Sequence, residues 1–203
     1  MKNLFSPCQA QRLERLERLE IKACDMLEKI ISNVGELMVR VERSASLPAI
    51  RIKPWRTFQN LQKMNIYHCI GMKKLLSMKL AHSLRQLEEL KVQRCPNMVV
   101  IVAKDEDEDE EEVADQGPLH QLKTLTLHKL EKLTSFNQDR LVLDLPSLEY
   151  LKVCGCPDLK KLPIGPCCLL KLEKIEGMDR ERIDRLEWED ETIKSRIHEL
   201  LQD

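Results

Sequence analysis

Leu148-Glu149-Tyr150-Leu151-Lys152-Val153-Cys154-Gly155-Cys156-Pro157-Asp158-Leu159-Lys160-Lys161-Leu162 is the stretch that decides the fold. It reads L-x-x-L-x-L-x-x-C-x-x-L-x-x-L. With any apolar residue allowed for Leu, the same template recurs at Leu16, Leu19, Ile21, Cys24, Leu27 and Ile30, and again at Leu61, Met64, Ile66, Cys69, Met72 and Leu75. A third copy is Leu87, Leu90, Val92, Cys95, Met98 and Ile101. A fourth is Leu122, Leu125, Leu127, Leu130, Leu133 and Phe136, with Leu in the Cys position. Three residues upstream of each copy stands another apolar residue: Leu13, Phe58, Leu84, Leu119 and Leu145. In a chain that is 42% apolar, filling all template positions by chance has a probability of about 10⁻¹¹.

Cys69 lies 26 residues before Cys95, and Leu130 lies 26 before Cys156. A unit of that length built on L-x-x-L-x-L-x-x-N/C-x-L is a leucine-rich repeat. The pattern has a physical reading. The L-x-L pair alternates, so a short strand turns both apolar residues into the core and the residue between them outward. The Cys column follows the strand, where a small thiol is buried and its S–H meets turn carbonyls. No repeat buries its apolar side alone, so neighbours must stack. The expected fold class is α/β: a leucine-rich-repeat solenoid, a right-handed horseshoe fragment with a short parallel sheet on its concave face and a C-terminal capping helix. Repeats are expected near 13–31, 58–76, 84–102, 119–137 and 145–163, with a degenerate copy at 169–178, so that the array spans 1–178. Insertions fall at 32–57 and 103–118, and a capping segment at 179–203. In the first insertion, Met38-Val39-Arg40-Val41-Glu42 reads as a strand outside the pattern. From Asp190, the stripe Ile193, Ile197, Leu200 and Leu201 predicts a helix, with Asp190 as N-cap.

Composition narrows the function. The chain of 203 residues has a net charge of -1, which conceals segregation. Residues 104–115 carry one Lys and nine acids, including the unbroken run Asp105 to Glu112, while residues 1–103 hold 18 bases and 9 acids. Like charges in such a run repel, and the run is expected to stay solvated in a loop. No apolar stretch is long enough for a membrane span or a secretory signal. Seven aromatic residues are too few for a platform that stacks single-stranded nucleic acid. The cysteines are read as reduced thiols of a cytoplasmic protein, packed in a repeat column and not arranged at zinc-chelating spacings. His68, His120 and His128 are scattered, and no nucleophile stands in a G-x-S-x-G or H-E-x-x-H setting. No catalytic, cofactor-binding or metal-ligating residue is expected, and the chain is read as no enzyme.

Phe58-Gln59-Asn60-Leu61, Leu87 to Cys95-Pro96 and Leu148 to Cys156-Pro157 resemble the leucine-rich repeats of plant nucleotide-binding disease-resistance proteins of the coiled-coil class. The tail Leu186-Glu187-Trp188-Glu189-Asp190-Glu191 looks like the ending common in that class. Such proteins usually carry a nucleotide-binding module upstream. This chain has no G-x-x-x-x-G-K-[ST] and only six Gly, so nucleotide binding is not carried over. The resemblance implies the C-terminal repeat region alone, a gene fragment or truncated member, acting as a protein-recognition module in defence. Its implied partner is a pathogen effector, a guarded host protein or the nucleotide-binding domain of such a receptor, with no nucleic acid and no membrane. The other reading from the repeats is a substrate adaptor of a ubiquitin ligase, although no ligase-docking segment stands upstream of Leu13. The candidate contact residues are the outward positions of the predicted strands: Glu20 and Lys22, Asn65 and Tyr67, Lys91 and Gln93, Thr126 and His128, Lys152 and Cys154. Tyr67 is the best anchor, because an aromatic ring supplies contact area at low entropy cost. Cys154 is expected to expose its thiol. Only 12 residues precede Leu13. They are expected to be too few for a capping helix, so that the region up to about Ile31 frays while later repeats stay protected.

Overall fold

The computed structural model describes residues 2–31, 57–104, 117–138, 144–188 and 190–201. The strand expected at 38–42 and the acidic run at 105–112 lie outside the described residues. In chain order the elements are β1 (Asn3–Phe5), α1 (Pro7–Arg12), β2 (Arg18–Lys22), β3 (Lys29–Ile31), β4 (Lys63–Tyr67), β5 (Lys74–Ser77) and α2 (Met78–Ser83). Then come β6 (Glu89–Gln93), β7 (Val100–Ala103), β8 (Thr124–His128), β9 (Ser135–Asn137) and β10 (Tyr150–Cys154). A 3-10 turn over Pro166–Leu170, β11 (Lys174–Glu176), α3 (Arg180–Asp184) and α4 (Glu191–Leu200) complete the chain. This is an α/β architecture of parallel strands with a few short helices.

β2, β4, β6, β8, β10 and β11 form one six-stranded parallel sheet in that order. The register aligns the template columns: Leu19, Met64, Leu90, Leu125, Leu151 and Ile175 are successive partners across the sheet. The degenerate sequence copy thus supplies the last strand, through Ile175. A second set of parallel strands follows the Cys turns: β1 pairs with β3, and β5, β7 and β9 form a three-stranded sheet. Between the front and back strands lies the core. All template positions are buried except Leu16, Cys24 and Leu162, which belong to the first and last copies and are half-buried.

Two turns and a backbone fork repeat from unit to unit. Leu61 N donates to Phe58 O, Leu122 N to Leu119 O and Leu148 N to Leu145 O, each at 3.0 Å, closing a turn ahead of the strand. The carbonyl just before each strand then accepts two amides of the next unit. Glu88 O, for example, accepts from Lys123 N and Thr124 N, both at 2.9 Å. After the strand, the residue before the Cys column takes a left-handed conformation: Ala23 (φ 51), His68 (54), Arg94 (54), Lys129 (54), Gly155 (69) and Gly177 (82). For a non-Gly residue this costs about 1–2 kcal/mol. Part of the compensation is visible, since the amide of each donates to the next strand's last carbonyl: Ala23 N to Tyr67 O at 2.9 Å, His68 N to Gln93 O at 3.0 Å, Arg94 N to His128 O and Lys129 N to Cys154 O at 2.8 Å. The turn reverses the chain so sharply that the Cys side chain folds back onto its own strand. Cys24, Cys69, Cys95 and Cys156 each direct Sγ at the carbonyl two residues earlier, at 3.4, 3.6, 3.4 and 3.7 Å.

The expectation that the first 12 residues are too few for a helix is corrected. Residues 3–5 form a strand paired in register with β3, Asn3 with Lys29 and Phe5 with Ile31. A short helix follows, capped by a reciprocal Ser6–Gln9 pair. Ala10 is fully buried and the Phe5 ring meets Phe58 edge-on at 5.7 Å. The reason lies in the sequence. Leu4, Phe5, Ser6, Ala10 and Leu13 match Leu75, Leu76, Ser77, Ala81 and Leu84 at a constant offset of 71, so these residues are the back half of a repeat and not a random lead-in. In the later unit Ser77 likewise caps α2, accepting from Leu80 N at 3.2 Å.

At the other end, α4 begins where the stripe predicts. Asp190 Oδ1 accepts from Thr192 N at 2.7 Å, and Ile193 and Ile197 are buried. The short helix α3 has no apolar stripe in the sequence to announce it. Its Arg182 guanidinium donates to the carbonyls of Cys156, Pro157 and Leu159 at 2.6, 2.7 and 3.0 Å, satisfying three acceptors of the last Cys turn. Trp188 Nε1 donates to Ile183 O at 2.9 Å, tying α3 to the segment before α4.

Candidate protein-recognition face

Strand alternation turns three columns of side chains onto the outer face of the six-stranded sheet. The middle column runs Glu20, Asn65, Lys91, Thr126, Lys152, Glu176 in paired register. The column at the strand ends runs Lys22, Tyr67, Gln93, His128, Cys154. All ten sequence-derived candidates therefore fall on one face, in two adjacent rows. Glu20 and Lys22 are exposed and most of the others are half-buried. Thr126 departs from its expected solvent exposure: it is only 7% exposed. Its register partners are Lys91 and Lys152. Strands about 4.8 Å apart let two long aliphatic stems shade a short side chain between them. Cys154 is likewise half-buried and not fully open.

A third outward column, at the strand starts, was not among the candidates: Arg18, Lys63, Glu89, Thr124, Tyr150 and Lys174. Extending the period-two alternation one step upstream of each L-x-L pair would have found it. Arg18, Glu20, Lys63, Asn65, Glu89 and Lys91 line a depression of about 320 Å³. On its floor Asn65 Nδ2 donates to Glu20 Oε1 at 3.1 Å, and Asn65 Oδ1 is buried with no hydrogen-bond partner among the described residues.

Carboxylates on this face each gather several partners. Glu20 meets Lys22 at 2.9 Å. Glu89 meets Lys63 at 3.2 Å and also Lys91. Glu176 accepts from Lys174 at 2.7 Å, Tyr150 Oη at 2.7 Å and Lys152 at 3.0 Å. These three donors, Lys174 foremost, hold the Glu176 carboxyl at about 2. A depressed carboxylate contributes stability above its ordinary value of 4.5 and loses it as pH falls towards 2. Glu176→Gln is therefore expected to lower the urea midpoint near neutral pH by an amount that shrinks on acidification to about pH 2. A pH-independent difference between the two proteins would show that the carboxylate is not held in this way. The site is exposed, so added salt should shrink the effect as well.

His128 is displaced the other way. Burial first, then the positive charges of Lys129, Arg94 and Lys152, push its pKa down, so the ring is neutral at pH 7. Burial also pushes the Cys156 thiol up, and burial with the Asp144 carboxylate raises Cys168 to about 12. These thiols are therefore protonated at neutral pH and lack the nucleophilic form. Among the described residues no three His, Cys, Asp or Glu side chains converge as a metal site would require, and no helix is long and apolar enough to cross a membrane.

Residues 50–179 match the profile of the leucine-rich repeats of plant disease resistance proteins of the RPS2-like type. The chain is similar to the probable disease resistance protein At5g47260 of Arabidopsis thaliana, with 32% identity over 69% of the chain and 14% of that protein. It is similar to disease resistance protein SUMM2 of the same plant, with 28% identity over 88% of the chain and 20% of the relative. With disease resistance protein RPS5, also of Arabidopsis thaliana, it shares 29% identity over 90% of the chain and 19% of the relative. The chain thus spans about a fifth or less of the length of these curated relatives. No solved structure matches it significantly.

Proposed function

Because this chain belongs to the RPS2-like leucine-rich-repeat family of plant disease resistance proteins, we propose that its outer sheet face is a non-catalytic surface that recognises another protein during defence. The observation that carries the reading is the continuous six-stranded face, on which three rows of mainly polar and charged side chains stand above an apolar core. On this reading the array is a right-handed solenoid whose outer sheet face is concave, and α4 closes its end. On the same reading five to six stacked units run from 13–31 to 169–178. At about 4.8 Å per strand, six strands extend for about 25 Å, which suits a standard interface and is too short to encircle a large partner. The partner is a pathogen effector, a guarded host protein or the nucleotide-binding domain of the same receptor class. Lys91 and Lys152 contribute charge and Tyr67 an aromatic anchor. The reading sets the chain in the cytoplasm, in keeping with seven free thiols among the described residues. That these three relatives are disease resistance proteins favours this role over a ubiquitin-ligase adaptor.

A photo-crosslinking amino acid compares the two sides whatever the partner is. It is placed at Tyr67 or Lys152 on the outer face, or at exposed Lys74 on the back sheet. In leaf cells, discrete protein adducts are expected from the first two positions and not from Lys74. Equal yields from front and back would overturn the reading.

A further inference from the structure

Cations on the outer face fall into two groups. Lys22, Lys63, Lys91, Lys152 and Lys174 each touch a glutamate of that face. Arg18, Arg94 and Lys129 do not: among the described residues no carboxylate forms an ion pair with them, and of these three only Arg94 and Lys129 stand on adjoining turns. Both occupy the left-handed position that follows a strand, and both are exposed. They belong to neighbouring units, because Gln93 and His128, the residues just before them, are register partners. The Arg94 backbone amide donates to His128 O at 2.8 Å, which fixes the spacing of the two turns.

Each cation is also oriented by its surroundings. The Arg94 guanidinium carbon stands 5.7 Å from the centre of the Tyr67 ring, a cation–π arrangement that leaves the edge donors of the fork free. The Lys129 stem lies over Gly155, where an added Cβ would meet Lys129 Cγ at 3.3 Å. Neutral His128, the residue just before Lys129, feels the positive charge of both cations. Two cations with no ion pair among the described residues, one pre-stacked on an aromatic ring, thus stand side by side at the rim of the face. Such an arrangement lacks an anion and not a base.

We propose that Arg94 and Lys129, with Tyr67 and His128, form a carboxylate-recognition site on the rim of the outer face, which docks an acidic segment, rich in Asp and Glu, of a partner protein. Carboxylate is the chemistry that suits the pair, because the planar fork of Arg94 engages two oxygens at once and Lys129 adds a point charge beside it. The inference rests on the outer face being the recognition surface. It adds which end of the face engages and which partner chemistry it takes.

The probe is a labelled hexaglutamate peptide, titrated into the full chain by fluorescence anisotropy at low salt. Saturable binding is expected, together with loss of affinity as salt rises. Arg94→Ala combined with Lys129→Ala is expected to weaken binding at least about tenfold. The charge-matched pair Lys29→Ala and Lys74→Ala, on the back strands, should leave it within about twofold. Circular dichroism of both double variants controls for folding. Equal weakening by the two pairs would reduce the effect to net charge and overturn the site. So would binding that is unchanged in the rim variant. Binding only to a chain lacking Asp105 to Glu112 would also overturn it, by showing the rim filled by the protein's own acidic run. None of these outcomes bears on the front-against-back crosslinking, which tests the outer face independently.

Discussion

Leu127→Asp is expected to abolish the folded state. Leu127 is fully buried in the central strand β8, partnered by Val92 and Val153 in the strands on either side. Its side chain stands within the apolar core. Desolvating a carboxylate there costs on the order of 5 kcal/mol or forces its protonation, comparable with the whole stability of a small domain. The neighbouring Thr126→Asp is the informative contrast. Thr126 is shaded, yet it lies on the outer face between Lys91 and Lys152, so the new carboxylate gains two cations and the change should stay within about 1 kcal/mol. Urea titrations of the two variants measure the difference. Equal losses would mean that the strand is one residue out of register.

Gly177→Ala is expected to cost about 3 kcal/mol, and Gly155→Ala only about 1 kcal/mol, although the two glycines occupy the same repeat position. Both have positive φ, 82 and 69. The left-handed penalty is thus shared, and Ala23 already bears it at φ 51. The difference is steric. A Cβ on Gly177 would stand 2.4 Å from Val153 O and 2.9 Å from Cys154 Cβ, fixed parts of the preceding strand. On Gly155 it would meet Lys129 Cγ at 3.3 Å, in a flexible side chain that can give way. Urea midpoints of the two variants check the ranking, and a Gly155→Ala loss as large as that of Gly177→Ala would show that φ dominates.

These two sites also mark what was legible in the sequence. The core columns were, because apolar spacing at 3, 2 and 3 residues is imposed directly by a strand followed by a turn. The outward direction of Lys91 or Tyr67 follows from the same alternation. The shading of Thr126 does not, since it depends on the lengths of Lys91 and Lys152 in other units and not on Thr126 itself. The left-handed column was hidden for another reason: Ala23, His68, Arg94 and Lys129 share no side-chain chemistry, and only Gly155 and Gly177 hint at the conformation. The opening strand and helix were missed because Leu4, Phe5, Ser6 and Ala10 carry the back half of the unit without its L-x-L signature. Only comparison with residues 75–81 reveals them. That Arg94 and Lys129 have no ion pair among the described residues is legible only in the folded structure, because it depends on where the glutamates of the face already bind.

The cysteine column makes the protein its own gauge of local opening. Cys69, Cys95 and Cys156 are buried, half-buried Cys24 marks the first unit, and each belongs to a different unit. Cys69 and Cys95 are fully buried and Cys156 nearly so. An alkylating reagent must therefore wait for the turn around them to come apart. Exposed Cys167 supplies the unprotected reference on the same molecule. Mass-resolved alkylation against time would then report, with no label or substitution introduced, the order in which the units let go and whether they do so singly or together.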